Sequence, residues 1–164
     1  MQSLIKELHK YTKPNKFHSL FEIMVTIVPF VCFWIMAYVF YSINNFVSVI
    51  FCFLAGAFLT RLFLIQHDCG HGSFFNSRLA NDIVGRVLGV FTLTPYHAWR
   101  YSHSIHHATS GNLDKRGVGD VKTLTVNEYF DLSTLYRAFY RIYRNPFVMF
   151  CIGPAYIFLI RNRL

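Results

Sequence analysis

Two stretches of the chain are apolar almost without interruption. Residues 21–41 carry one charge, Glu22, at their edge, and residues 46–65 carry one, Arg61, near their end. A bilayer core is about 30 Å thick and takes about 20 helical residues to cross, so each stretch is long enough to span. Ser42, Ile43, Asn44 and Asn45 alone separate them. A connection that short joins antiparallel helices, so the chain returns to the side it left. A signal peptide fits poorly, because the first run is too long, lacks a small-residue cleavage site and leads straight into another span.

Beyond Ile65 the pattern turns polar. Residues 83–94 are apolar, too short to span and punctuated by Gly85 and Gly89, which predicts an interfacial or re-entrant piece. Residues 111–121, "GNLDKRGVGDV", read as a loop. A helix is expected over 126–144. Residues 146–160 then begin a third membrane segment, short for a span and interrupted by Gly153 and Pro154. There is no internal repeat. The fold class is therefore an all-α membrane protein: a transmembrane helical hairpin, a cytoplasmic helical region, and a further short membrane segment. As one domain, 1–164 divides into a lead-in (1–20), two spans (21–41 and 46–65), the polar region (66–145) and the last segment (146–160).

Composition agrees: 54% hydrophobic and only 15% charged lies well above the apolar share of an ordinary soluble domain. The net charge of +8 raises nucleic acid as a partner. However, the basic residues flank hydrophobic segments and form no run with interleaved aromatics, which points to anionic lipid headgroups instead. The lead-in sets Lys6, Lys10, Lys13 and Lys16 against Glu7. By the positive-inside rule it is cytoplasmic, and after the hairpin so is 66–145, which holds nine of the sixteen Lys and Arg. Cys32, Cys52, Cys69 and Cys151 form no CxxC pair and read as buried thiols in a reducing compartment.

Eight histidines are present, five of them in two compact groups: "HDCGH", with His67 and His71, and "HSIHH", with His103, His106 and His107. Helical positions i and i+4 lie about 40° apart around the axis, so each group presents its imidazoles on one face. A single histidine near a membrane boundary is more often an interfacial or hydrogen-bonded group than a ligand. Five at these spacings are different, because clustered imidazoles repel on protonation and cost desolvation when buried, and a cation relieves both. His9 and His18 belong to the basic lead-in and are expected to be solvated. His97 lies six residues before the second group and is a minor candidate for supporting it.

Ligand type and number narrow the metal. A zinc site closes with about four ligands, fewer than the histidines on offer. The zinc-protease pattern HExxH is absent, since Asp68, Cys69 and Gly70 stand between His67 and His71. An imidazole-rich set with more donors than one metal uses suits two iron ions. Asp68, Asn112, Asp114 and Asp120 are available as acceptors for imidazole N–H groups.

"HDCGH" just after a transmembrane hairpin, followed about thirty residues on by "WRYSHSIHH", strongly resembles the membrane-bound fatty acid desaturases, especially the acyl-lipid Δ12 or omega-6 type. The contexts "HDCGHGSFFNSRLANDIVGRVLG" and "HHATSGNLDKRGVGDVKTLTVNEY" resemble bacterial members, and the likeness runs from the first span to Ile160. The resemblance implies two non-haem Fe2+ ions held by three histidine boxes. Dioxygen and two electrons then remove two hydrogens from adjacent carbons of a fatty acyl lipid. It assigns His67, His71, His103, His106 and His107 as the metal ligands of the first two boxes, with no catalytic residue beyond them. A third box, another HxxHH, is absent from these 164 residues. The chain is accordingly expected to be the N-terminal portion of a longer enzyme, inactive alone, in a bacterial inner or cyanobacterial membrane.

No fused electron-transfer pattern is visible, which implies a separate ferredoxin or cytochrome b5 donor. Arg137, Arg141 and Arg144 are expected to face headgroups rather than to dock that donor. Other readings stay open: a hydroxylase, epoxidase, acetylenase or carotenoid oxygenase with the same boxes, a membrane haem protein with axial histidines, and a non-catalytic remnant.

Overall fold

A computed structural model describes Glu7, residues 13–119 and residues 121–161, with Phe158 and Arg161 as backbone only. Lys6, His9 and Lys10 of the lead-in, and Asp120, lie outside the described residues. Among the described residues there are helices and no strands, which bears out the all-α expectation. The chain divides into two compact units, Met1–His97 and Ala98–Leu164.

The first unit is built on a helical hairpin. Helix α1 spans Lys16–Tyr41 and starts where the Asn15 side chain accepts the Phe17 and His18 N–H groups. Helix α2 spans Asn45–His71 and is capped in the same way by Asn44. Both are long and apolar enough to cross a membrane. They run antiparallel: Ser48 Oγ donates to the Ala37 carbonyl at 2.7 Å near the turn, and at the other end Arg61 meets Glu22 at 2.5 Å. The lone charge of each apolar stretch is thus neutralised by the other, the arrangement a low-dielectric environment favours. Between these ties Phe33 packs against Phe51 and Phe58. Side chains such as Phe21, Trp34, Tyr38 and Phe53 point outward and exposed, as on a surface solvated by lipid. Cys32, Cys52 and Cys151 are also exposed, contrary to the buried thiols expected. Cys32 and Cys52 lie on outward faces of the spans, and only Cys69 is buried.

Helix α2 runs beyond the predicted end at Ile65, so the first histidine group is the last turn of the spanning helix. Gly72, at φ 70, ends it: its N–H meets the Cys69 carbonyl, and the Ser73 N–H meets that of Asp68. Buried Asn81 then latches the connecting loop, accepting the Phe75 N–H and donating to the Phe75 and Ser77 carbonyls.

Helix α3, Arg78–Phe91, replaces the shorter apolar piece predicted over 83–94. Its Asn81, Gly85 and Leu88 turn inward, while Leu79, Ile83, Val87 and Val90 form an exposed apolar stripe at helical spacing. The core gathers Leu62, Ile65 and Cys69 of α2, Leu88 of α3 and Tyr96, with Ile23, Ile27 and Phe30 of α1 against it. Tyr96 opens helix α4, Tyr96–Thr109, which runs on into the second unit.

The second unit contains no fully buried side chain among its described residues. After α4, a 3-10 turn at Leu113–Lys115 interrupts the predicted loop. The single helix expected over 126–144 is two, α5 (Val126–Asp131) and α6 (Thr134–Tyr143). Leu132 is extended at ψ 147, and Ser133 caps the new helix by accepting the Tyr136 N–H. The Tyr140 and Tyr143 hydroxyls accept the Leu124 and Lys122 N–H groups, tying the preceding strand-like stretch onto α6. The last segment is helical throughout but wound in turn as π (Val148–Ile152), α (Gly153–Tyr156) and π (Ile157–Arg161).

Candidate metal centre

Each histidine group forms a closely opposed pair on its own helix. On α2 the Nε2 atoms of His67 and His71 lie 3.3 Å apart, and on α4 those of His103 and His107 lie 3.0 Å apart. Both pairs are at i, i+4, where a helix brings side chains together. A neutral pair in this geometry shares one proton between two nitrogens. A cation with a metal–nitrogen distance of about 2.1 Å and cis ligands wants nitrogens about 3 Å apart, which is the separation each pair offers. The donor set therefore fits a metal bound through Nε2. With Nε2 so occupied, the proton sits on Nδ1, and Asp68 Oδ1 stands 3.4 Å from Nδ1 of His67 as its acceptor.

His106 is placed differently. Its ring lies 5.9 Å from that of His103 and 5.6 Å from that of His107, and its Cβ packs against Gly119, which leaves room for it by having no side chain. Trp99 stacks on His103 at 4.7 Å and 16°, fixing the plane of that imidazole. His97 accepts a hydrogen bond from Arg86 Nε at 2.8 Å on its own Nε2, so that nitrogen is already committed. His18, 72% exposed, sits 3.9 Å from Glu22. Of the other acceptors, Asn112 caps its own turn by taking the Asp114 N–H.

A cavity of about 630 Å³ opens beside the first pair, lined by Lys13, His18, Glu22, Arg61, Asp68 and Ser73 among others. In the second unit Arg141 Nε donates to the Tyr129 hydroxyl at 2.7 Å and its guanidinium lies 5.9 Å over that ring.

Sequence reasoning missed a buried polar group next to the first box. Gln66, Thr92, Thr94 and Tyr96 are all buried and bonded to one another or to backbone. The available signal was a glutamine inside an apolar helix one residue before His67, together with the close-approach spacing Gly85 to Gly89.

The fatty acid desaturase family model matches residues 44–164, which takes in both histidine groups. The chain belongs to the fatty acid desaturase family. It is 47% identical over 162 residues to a fatty acid desaturase of Bacillus subtilis (strain 168), covering 99% of this chain and 46% of that protein. It is 46% identical over 65 residues to an sn-1 acyl-lipid omega-3 desaturase (ferredoxin) of Synechocystis, 40% of this chain and 18% of that one. An endoplasmic reticulum omega-3 fatty acid desaturase of Nicotiana tabacum is 46% identical over 61 residues, 37% of this chain and 16% of that one. The chain thus spans less than half the length of these relatives. No solved structure matches it. Helices α1 and α2, long and apolar enough to cross a membrane, together with this family membership suggest a membrane protein.

Proposed function

We infer that this chain supplies two of the histidine boxes of an oxygen-dependent acyl-lipid desaturase, with His67, His71, His103, His106 and His107 as ligands to a pair of non-haem irons. The single observation that carries the reading is the pairing of imidazole nitrogens at 3.3 and 3.0 Å on helices α2 and α4. His67, His71, His103 and His107 each offer one nitrogen of the kind a metal takes. Iron with dioxygen would supply the oxidising power to remove hydrogen from an unactivated methylene, which no side-chain base can do. The protein's own part is positional. Asp68 orients the His67 ring, Trp99 that of His103, and the long apolar helix α2 carries the first box at its C-terminal end. Five imidazoles leave coordination positions open on two irons, which water, carboxylates or further histidines would take.

The helical hairpin and the lysine-rich lead-in support a reading in which the boxes face the cytoplasm from a multi-pass protein of the bacterial inner membrane, where a ferredoxin or cytochrome b5 type donor would reach them. The exposed stripe on α3 suits the interface, lying along the headgroups as the short apolar pattern suggested.

The test is fatty-acid analysis by mass spectrometry of a host whose lipids are saturated. Expressing the longest reading frame that contains this sequence is expected to yield unsaturated acyl chains. His67→Ala, His103→Ala and the 164-residue polypeptide alone are expected to yield none. Hydroxylated or epoxidised chains instead would favour the related oxygenases, and unsaturated product from His67→Ala would sink the ligand assignment.

A further inference from the structure

The last turn of α2 is fixed by a buried polar network. Thr92 Oγ1 donates to Gln66 Oε1 at 2.5 Å, and Gln66 Nε2 donates to the Thr94 carbonyl at 3.5 Å. Between them Leu93 takes φ 56, a left-handed conformation unfavourable to a leucine, so this bend persists because its surroundings enforce it. Two residues on, the Tyr96 hydroxyl donates to the Cys69 carbonyl at 3.0 Å, with Asp82 Oδ1 at 3.3 Å as the alternative acceptor. Cys69 lies between His67 and His71, and its carbonyl also receives the Gly72 N–H that ends the helix.

Two glycines of α3 admit this arrangement. A Cβ on Gly85 would lie 2.2 Å from Cε2 of Tyr96, and one on Gly89 would lie 2.6 Å from the Thr94 carbonyl oxygen. Phenylalanine and leucine would fill the same space without desolvating a hydroxyl and an amide. A satisfied polar network adds direction to contact, which apolar packing does not. Residues of α2, α3 and the start of α4 thus spend buried polar groups on one turn, the one that carries the first histidine pair.

We propose that Tyr96 is a positioning residue for the metal centre. Its hydroxyl, seated by the Gly85 notch on the Cys69 carbonyl, sets the turn that presents His67 and His71 as a pair. This rests on the metal-binding reading above and adds to it a residue that touches no metal.

Cobalt(II) is a suitable probe, because its visible bands report ligand geometry without turnover. It would be titrated into the full-length protein in detergent. Tyr96→Phe, which keeps the ring and loses the hydroxyl, is expected to weaken cobalt binding about tenfold and to shift the bands. Thr92→Val, a gentler change at the other end of the network, is expected to move both in the same direction, and it decides alone if the first variant does not fold. Ser48→Ala serves as the control, since it removes a buried hydrogen bond at the far end of the hairpin. It is expected to lower the melting temperature while leaving affinity and bands unchanged. Wild-type affinity and bands in the folded network variants would overturn the proposal, as would an equal effect of Ser48→Ala. If the wild-type protein takes up no cobalt, the metal reading itself fails and the positioning role with it.

Discussion

At the scale of residues, the site is a matter of where small and polar groups are tolerated. Gly89 has no side chain because the backbone of Thr94 occupies that space, and backbone cannot swing aside as a side-chain tip would. Gly89→Ala is therefore expected to destabilise the protein by about 1–3 kcal/mol, the usual cost of overpacking. Gly56→Ala, on a face with nothing within 4 Å, is expected to be neutral or to stabilise by up to about 1 kcal/mol. Thermal unfolding in detergent separates the two, and equal midpoints would contradict the close approach. The pairing of His67 with His71 and of His103 with His107 was legible because i, i+4 spacing is a helix property that the sequence states outright. Gln66 and Tyr96 were not. A polar or aromatic residue at the end of a span reads as an interfacial anchor, and only the fold reveals that both turn inward.

Among the elements, the spans were legible in place but not in extent. Apolar composition marks the stretch that could lie in a bilayer core, whereas the helix itself runs on to His71, six residues beyond Ile65, before the Gly72 cap. That difference makes the first box part of the spanning helix. Glu22 and Arg61 each stood out as the lone charge of an apolar run, yet their pairing depends on the hairpin register, which the turn at Ser42 to Asn44 and the Ser48 tie set. The break between α5 and α6 was written in Ser133, a capping residue within an otherwise helical pattern.

Helix α5 also carries its own pH signature. Arg116 donates to Glu128, and the Thr125 N–H and hydroxyl add two more bonds, which together hold the Glu128 carboxyl well below its ordinary 4.5, at about 2. A carboxyl lowered on folding stabilises fully above its unfolded value and loses that contribution as pH falls through the folded one. The Thr125 to Glu128 cap is thus expected to stay intact through pH 4.5 and to give way only toward about 2. Carbon NMR titration of the Glu128 carboxyl reads this directly, and a midpoint at 4.5 would contradict it.

On the scale of the whole molecule, the fold class and the family were legible because both rest on local features: two apolar runs of spanning length and two histidine motifs a fixed distance apart. What the sequence could not state was how each pair closes. It predicted a common face, and the structure supplies nitrogens at 3.3 and 3.0 Å on helices anchored by a buried core and by aromatic stacking. The central claim is that these imidazoles hold iron. X-ray absorption at the iron edge of the loaded full-length protein tests it most directly. The account predicts nitrogen and oxygen scatterers near 2.1 Å with the outer-shell pattern of several imidazoles per iron, reduced in both His67→Ala and His103→Ala. Sulfur in the coordination sphere, or a spectrum unchanged by either substitution, would contradict it.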